Sequence, residues 1–212
     1  MTGRTTIRVQ RIAFSTNVER VALAAAHKGV GVDWVDIDPT DRAEVRALSG
    51  QELVPVMQAP DGEVIADSTS ILAWLERRVP EPALWPVDAA ARARVDIAVE
   101  WFNGVWKVAP NAIDEEIASG SPDKSRIAAW SDELTRWLRR FDALLEGRDH
   151  LLGDTLGVLD VCAFPFLKYG VIVPEPGDDE GFHHVLHEHQ RETAGLPRLT
   201  AWIRRVDALP RA

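Results

Sequence analysis

The chain is poor in several residue types. Among its 212 residues there is one cysteine, Cys162. A single thiol closes no intrachain disulfide, so the core itself has to hold the fold, and the expected compartment is a reducing one, the cytoplasm. Tyrosine is equally scarce, with Tyr169 alone. No apolar run approaches the roughly 20 residues of a membrane span, so a membrane is not the expected partner. The opening stretch MTGRTTIRVQ lacks the long apolar segment of a secretory signal. Positive charge is also short: 24 Lys and Arg stand against 33 Asp and Glu, a net charge of −9. Acid is spread through the chain, which argues against nucleic acid, since phosphate binding wants clustered Lys and Arg. A chain of this length can nevertheless bury a sizeable core without disulfide or metal.

What is present falls into two parts. The first eighty or so residues read as a mixed α/β unit. RVQRIAF is rich in branched and aromatic residues and predicts a strand. In NVERVALAAAHKGV, Val18, Val21, Ala22 and Ala25 have amphipathic helical spacing, with Gly29 suited to the C-terminal end. GVDWVDID predicts a second strand and DRAEVRALSG a short helix ending at Gly50. LVPVMQA, PDG and EVIA predict a hairpin. DSTSILAWLERRV predicts a helix with Ile71, Leu72 and Leu75 on one face. The order is β-α-β-α-β-β-α. Pro80, Pro82 and Pro86 then mark a linker, because proline stops helices.

Everything beyond reads as helix. AAARARVDIAVEWFNGVWKVA predicts one long helix. KSRIAAWSDELTRWLRRFDALLEG predicts another, closed by Gly147. VLDVCAFPFLKYG is nearly all apolar and predicts a buried central helix that makes Cys162 an inert core thiol. In GFHHVLHEHQ, His183 and His187 stand four apart. The spacing is not His-Glu-x-x-His and no third ligand is placed, so the expectation is a solvated helix and no metal.

Six stretches, in order, resemble the soluble glutathione transferases, bacterial members of the serine type. FSTNVERVALAAAHKGV resembles the first strand-to-helix turn of that superfamily. LVPVM resembles its Val-Pro pair, whose proline is cis. IADSTSILAWLERRVP resembles its acidic-Ser-x-x-Ile helix start, and ALWP its linker. GDTLGVLDVCAFP resembles the capped central helix, and PRLTAWIRRVDALP the final one. The resemblance implies a thioredoxin-like domain over residues 1–80, an all-helical domain over residues 88–212, a homodimer, and a detoxifying transferase that uses glutathione as co-substrate. It also implies that Val54, ahead of Pro55, pairs its backbone with glutathione, that Ser68 and its amide take the γ-glutamyl carboxylate, and that Asp67 takes the α-ammonium. Ser68 reads equally well as a plain helix cap.

Ser15 is the residue expected to face sulfur. A free thiol of pKa about 8.5 is only a few per cent thiolate at neutral pH. A donating hydroxyl and a helix N-terminus stabilise the anion. A lowering of about two units corresponds to roughly 2.7 kcal/mol. Asn17 is a second candidate donor, and a simple capping role for Ser15 or Thr16 stays open. Tyr169 and Cys162 lie in the wrong part of the chain to take this role. Leu53 stands where many relatives carry Lys or Gln, so Gln51 is the candidate for the glycyl carboxylate. Gly157 replaces a usual Ser or Thr cap, and Thr16 a frequent proline. These departures leave open whether the thiol is glutathione or another small thiol. On the helix that resembles the electrophile wall, Phe102, Val105 and Trp106 are candidates, with core packing or a dimer contact as the alternative. A non-catalytic binding protein of the same fold is the second functional reading. A thiol–disulfide reductase is disfavoured because the first domain has no cysteine.

Overall fold

The computed structural model describes residues 5–212. In TIRVQR the side chains alternate, with Ile7 and Val9 inside and Thr6 and Arg8 outside, and this segment is β1 (Thr6–Arg11). It is followed by α1 (Thr16–His27), β2 (Gly31–Asp36), α2 (Ala43–Ser49), β3 (Val56–Gln58), β4 (Val64–Ala66) and α3 (Ser68–Arg78). The four strands form one sheet in the order β2-β1-β3-β4. β1 and β2 are parallel, whereas β3 runs antiparallel to both β1 and β4. Gln10, Val56 and Ala66 lie abreast across the three inner and outer strands. Ile71, Leu72 and Leu75 are fully buried, as the helical spacing predicts, and α3 packs on α1. A separate cluster of Ile12, Ile37, Val45 and Val56 fills the α2 side. Each such buried aliphatic side chain contributes roughly 1.5–3 kcal/mol.

Two cations stabilise this first unit from within. Lys28 Nζ lies 2.6 Å from Glu76, 2.7 Å from the Val79 carbonyl and 2.9 Å from the Pro82 carbonyl. An ammonium has three donors, and here all three are used. The ends of α1 and α3 and the proline-rich segment are thereby tied together. Arg20 is the second and belongs to the site described below.

The chain divides into two compact units. One runs to Leu84 and takes back Leu209–Ala212; the other is Trp85–Ala208. The returning tail is anchored within the first unit. The Ala212 amide donates to the Ala22 carbonyl (3.1 Å), Trp34 Nε1 donates to the Ala212 carbonyl (2.9 Å), and Arg211 pairs with Glu19 (3.0 Å).

The second unit is helical: α4 (Ala89–Trp101), α5 (Val108–Ala118), α6 (Lys124–Leu144), α7 (Val158–Leu167), α8 (Gly181–His189) and α9 (Pro197–Asp207). Every residue of α7 is buried, Cys162 included. Its start lacks a capping side chain at Gly157, but Asp160 compensates. That carboxylate accepts from the amides of Gly157 and Leu151, both at 2.9 Å, and from Trp202 Nε1 at 2.7 Å.

Two expectations are corrected here. The long helix from Ala89 onward is interrupted by a π-helical turn, Phe102–Trp106, whose i→i+5 bond runs from the Lys107 amide to the Phe102 carbonyl (3.2 Å). Phe102 and Trp106, four residues apart, both face inward. A single inserted residue in a helix leaves no mark on the apolar pattern that would announce the π turn. The histidine helix α8 is also not simply solvated. His183 is buried, with Nδ1 2.7 Å from Asp178 and its ring stacked on Tyr169, while His187 Nδ1 meets the Tyr169 carbonyl at 2.9 Å. The partner, Asp178, lies in a loop, where periodicity carries no signal. No cluster of three or more potential metal ligands occurs among the described residues.

Candidate functional site

Sheet topology brings the predicted residues of the first unit to one place. α1 leaves the C-terminal end of β1, and α3 leaves the C-terminal end of β4. β3 is antiparallel to both, so its entrance, Val54-Pro55, lies at that same edge. Ser15, Val54 and Asp67-Ser68 therefore share one end of the sheet. Two helix N-termini, each with free N–H groups and positive dipole ends, converge there.

At α1, Ser15 is the N-cap. Its Oγ accepts from the Val18 amide at 3.4 Å, and its carbonyl accepts from the Glu19 amide at 3.0 Å. Capping and donation are compatible: the oxygen accepts from Val18 while the O–H hydrogen is free to donate elsewhere. Asn17, half-buried, lies in the first turn beside it. Phe14, just before the cap, holds φ at +64° and exposes its ring by 39%. A bulky residue with positive φ is an outlier.

At α3, the capping role moves by one residue from the expectation. Asp67, not Ser68, is the N-cap, with its Oδ2 accepting from the Ser70 amide at 2.9 Å. Its other oxygen takes no hydrogen bond among the described residues. Asp67 holds φ +77° and ψ 128°, so the chain turns sharply into the helix. Ser68 is the first helical residue and is buried. Its amide has no intrahelical acceptor by position. Its Oγ accepts from Arg20 Nη1 at 3.2 Å. The buried guanidinium of α1 thus fixes the start of α3.

The Val54–Pro55 bond is cis. Among the described residues neither the amide nor the carbonyl of Val54 has a hydrogen-bond partner, and β3 begins only at Val56. An extended segment could pair there as an added strand. Gln51, the candidate for the glycyl carboxylate, is held by its own loop. Its Nε2 donates to the Leu53 carbonyl (2.8 Å) and Ser49 Oγ (3.1 Å), and its Oε1 accepts from the Leu53 amide. Both amide hydrogens are engaged in shaping this loop.

The three electrophile candidates lie in the second unit, and two of them are interior. Phe102 and Trp106 are fully buried and stacked, with centroids 4.6 Å apart at 9°, and Phe166 closes edge-on against both. Only Val105 is exposed. Core packing is what this geometry supports for Phe102 and Trp106.

Residues 11–83 match the sequence pattern described as "Glutathione S-transferase, N-terminal domain", and residues 108–210 match "Glutathione S-transferase, C-terminal domain". The chain belongs to the glutathione S-transferase family. Maleylacetoacetate isomerase of Pseudomonas aeruginosa is 27% identical over 169 residues, 74% of this chain and 80% of that protein. A crystal structure of a glutathione S-transferase from Rhodospirillum rubrum F11 is 26% identical, with TM-score 0.74 over 95% of this chain and 88% of the other. A glutathione S-transferase of Methylobacillus flagellatus KT, crystallised with GSH bound, has the same fold at 24% identity, TM-score 0.76, covering 94% and 93% of the two chains.

For this glutathione S-transferase, sequence reading missed two features of the site. Arg20 is one, because a cation inside an apolar helical face carries no periodic signal of its role. Phe14 is the other: it closes the stretch RVQRIAF that predicts a strand, whereas β1 ends at Arg11. No single-residue signal announces a positive φ at phenylalanine.

Proposed function

We propose that the protein is a glutathione-dependent enzyme in which Ser15 activates the glutathione thiol for addition to a small electrophile. In this reading the γ-glutamyl carboxylate sits on the α3 start at Ser68, and its ammonium on Asp67. The cysteinyl backbone pairs with Val54. The sulfur meets the Ser15 O–H and the N-terminus of α1, where a donor and a positive dipole end both favour the anion. Proton loss to solvent leaves the thiolate, and its electron pair forms the new C–S bond. Conjugation results if that bond persists. Isomerisation of an activated double bond results if the thiolate is expelled again after rotation, the kind of reaction named for the Pseudomonas relative. The adjoining ring of Phe14 offers the electrophile an exposed apolar surface.

The observation that carries this reading is the convergence of two helix starts and an unpaired Val54 backbone at one sheet edge. The test is a crystal structure with glutathione, joined to conjugation and isomerisation assays. The sulfur is expected within hydrogen-bond distance of Ser15 Oγ. A sulfur out of reach of both Ser15 and Asn17, with no turnover of either kind, would instead favour a non-catalytic binding protein. The working unit is proposed to be a homodimer, and sedimentation of the purified protein checks it.

A further inference from the structure

The tail that returns to the first unit lies against the helix that Ser15 caps. Arg211 Nη2 and Nε both donate to Glu19 Oε1, at 3.0 and 3.3 Å, and Nη1 donates to the Leu209 carbonyl. The next residue is held as well, by the Ala212 amide on the Ala22 carbonyl and the Trp34 indole on the Ala212 carbonyl. Glu19 and Arg211 are 192 residues apart in sequence. Their side chains are only 16% and 27% exposed, so water screens this pair less than an open surface pair.

Glu19 is the acidic residue of the first turn of α1. It stands four residues beyond Ser15, and its amide donates to the Ser15 carbonyl at 3.0 Å. Residues four apart lie on one helix face, and side chains lean back toward the helix start. A sulfur within hydrogen-bond reach of Ser15 Oγ would therefore lie on the order of 8 Å from the Glu19 carboxylate. An acid at this place suits the helix dipole but opposes a second anion at the same end. The other charged groups at this edge of the sheet are engaged elsewhere. Arg20 donates to Ser68 Oγ, Arg11 pairs with Asp36 at 2.7 Å, Glu44 accepts from Gln10, and Asp67 caps α3. Arg211 brings a positive charge to Glu19 from the far end of the chain.

We infer that Arg211 is a positioning residue for the thiol chemistry: by neutralising Glu19 it keeps the positive end of α1 available to the glutathione thiolate at Ser15. This role rests on the thiolate reading proposed above and extends it to a residue that acts through Glu19. Leaving one unit charge uncompensated at about 8 Å raises a neighbouring thiol pKa by roughly 0.4 to 1 unit, for an effective dielectric between those of water and a protein surface.

The experiment uses the full chain with glutathione. The ultraviolet absorbance of the bound thiolate is titrated, and kcat/KM for an activated chloronitrobenzene is followed against pH. In Arg211→Gln the bound thiol and the acid limb of the rate profile are expected to shift upward together by roughly 0.4 to 1 unit. Turnover below the pKa then falls about 2.5- to 10-fold, while the plateau at high pH stays in place. Added salt should narrow this gap. Arg211→Lys keeps the charge and should titrate nearer to wild type than to Arg211→Gln. Glu19→Gln combined with Arg211→Gln removes both charges and should bring the limb back to the wild-type position, although the ion pair is gone. The inference is overturned if Arg211→Gln titrates like wild type while Ser15→Ala shifts the limb, a result that leaves the thiolate at Ser15 intact. It is overturned too if the double variant stays as shifted as Arg211→Gln, or if Arg211→Lys shifts equally far, for the tail then acts by its fit and not by its charge. A wild-type complex whose thiol titrates no lower than free glutathione would sink the thiolate reading itself, and this role of Arg211 with it.

Discussion

Replacing Ser15 by alanine removes two interactions that can be measured apart. The cap bond to the Val18 amide is long, at 3.4 Å. Its loss should therefore cost at the low end for caps, about 0.5–1 kcal/mol. For a chain of this size that is a fall of roughly 1–4 °C in melting temperature. The second loss is the hydroxyl's bond to the bound thiolate. Hydrogen bonds to charged groups contribute about 1.5–3 kcal/mol, which corresponds to a rise of about one to two units in the pKa of the bound thiol. The helix amides remain, so the activation is reduced and not abolished. Conjugation at pH 7 should fall about 3- to 25-fold with the smaller thiolate fraction, and recover as the pH is raised through the new thiol pKa. The assay is kcat/KM against pH, with the ultraviolet absorbance of bound thiolate titrated in parallel. Two further variants separate the roles. Ser15→Thr keeps both the cap and the donor and should retain most of the activity. Ser15→Asp keeps the cap, but an ionised carboxylate cannot donate, so stability should hold while the thiolate is lost. If Ser15→Asp turns over like wild type, or if Ser15→Ala lowers the melting temperature and leaves the acid limb in place, Ser15 is only a cap.

Arg20→Met should leave Ser68 Oγ without its buried donor and cost about 1–3 kcal/mol, read as a lower urea midpoint at unchanged slope; with the α3 start loosened, KM for glutathione should rise more than kcat falls. At Asp67, glycine relieves a positive-φ strain of order 1–3 kcal/mol and, being tolerated at caps, forfeits only about 0.3 kcal/mol of capping, so Asp67→Gly should melt within a few degrees of wild type or above it. Both Asp67→Gly and the cap-preserving Asp67→Asn should weaken glutathione binding, because neither offers a carboxylate to an ammonium; undiminished affinity in both would exclude Asp67 from the site. Burial lowers the pKa of His189, which sits half-buried against Ser131 Oγ. The unfolded chain therefore binds this proton more readily than the folded one. The stability it contributes is present above the unfolded pKa of about 6.5 and is lost as the pH falls below it. His189→Gln should flatten the stability profile of chemical denaturation in that range, and an unchanged slope would show that the group does not contribute.

The elements that sequence revealed are those whose burial is periodic. Ile71, Leu72 and Leu75 mark α3, and the unbroken apolar run from Val158 marks a helix buried on every side. Gly50, at φ +76°, closes α2 where expected. The features it concealed are those set by a single distant partner or by one extra residue. Arg20, on a face of α1, and Lys28, at its end, are charged residues that sit inside because Ser68 and Glu76 of α3 and the carbonyls of Val79 and Pro82 beyond it reach them. Phe102 and Trp106 share one helical face by spacing alone, but whether that face is a wall or core is settled only by the partners that cover it, Phe166 among them. At the site, Ser15, Val54 and Asp67-Ser68 could be named from their local stretches. Which residue caps α3, and that Gln51 is consumed by its own loop, depended on backbone geometry that composition does not encode.

The returning tail bears on how the chain is assembled. Leu209–Ala212 completes a unit whose strands and helices lie in the first 84 residues, by way of contacts to Glu19, Ala22 and Trp34. During synthesis that unit must wait for the whole helical part before its last bonds form. A fragment cut at the proline-rich segment would carry β2 and α1 with these three positions uncovered. Supplying the tail as a separate peptide, or grafting it behind Leu84 on a short flexible linker, would turn this long wait into a local closure and show how much of the first unit's cooperativity is held in its last four residues.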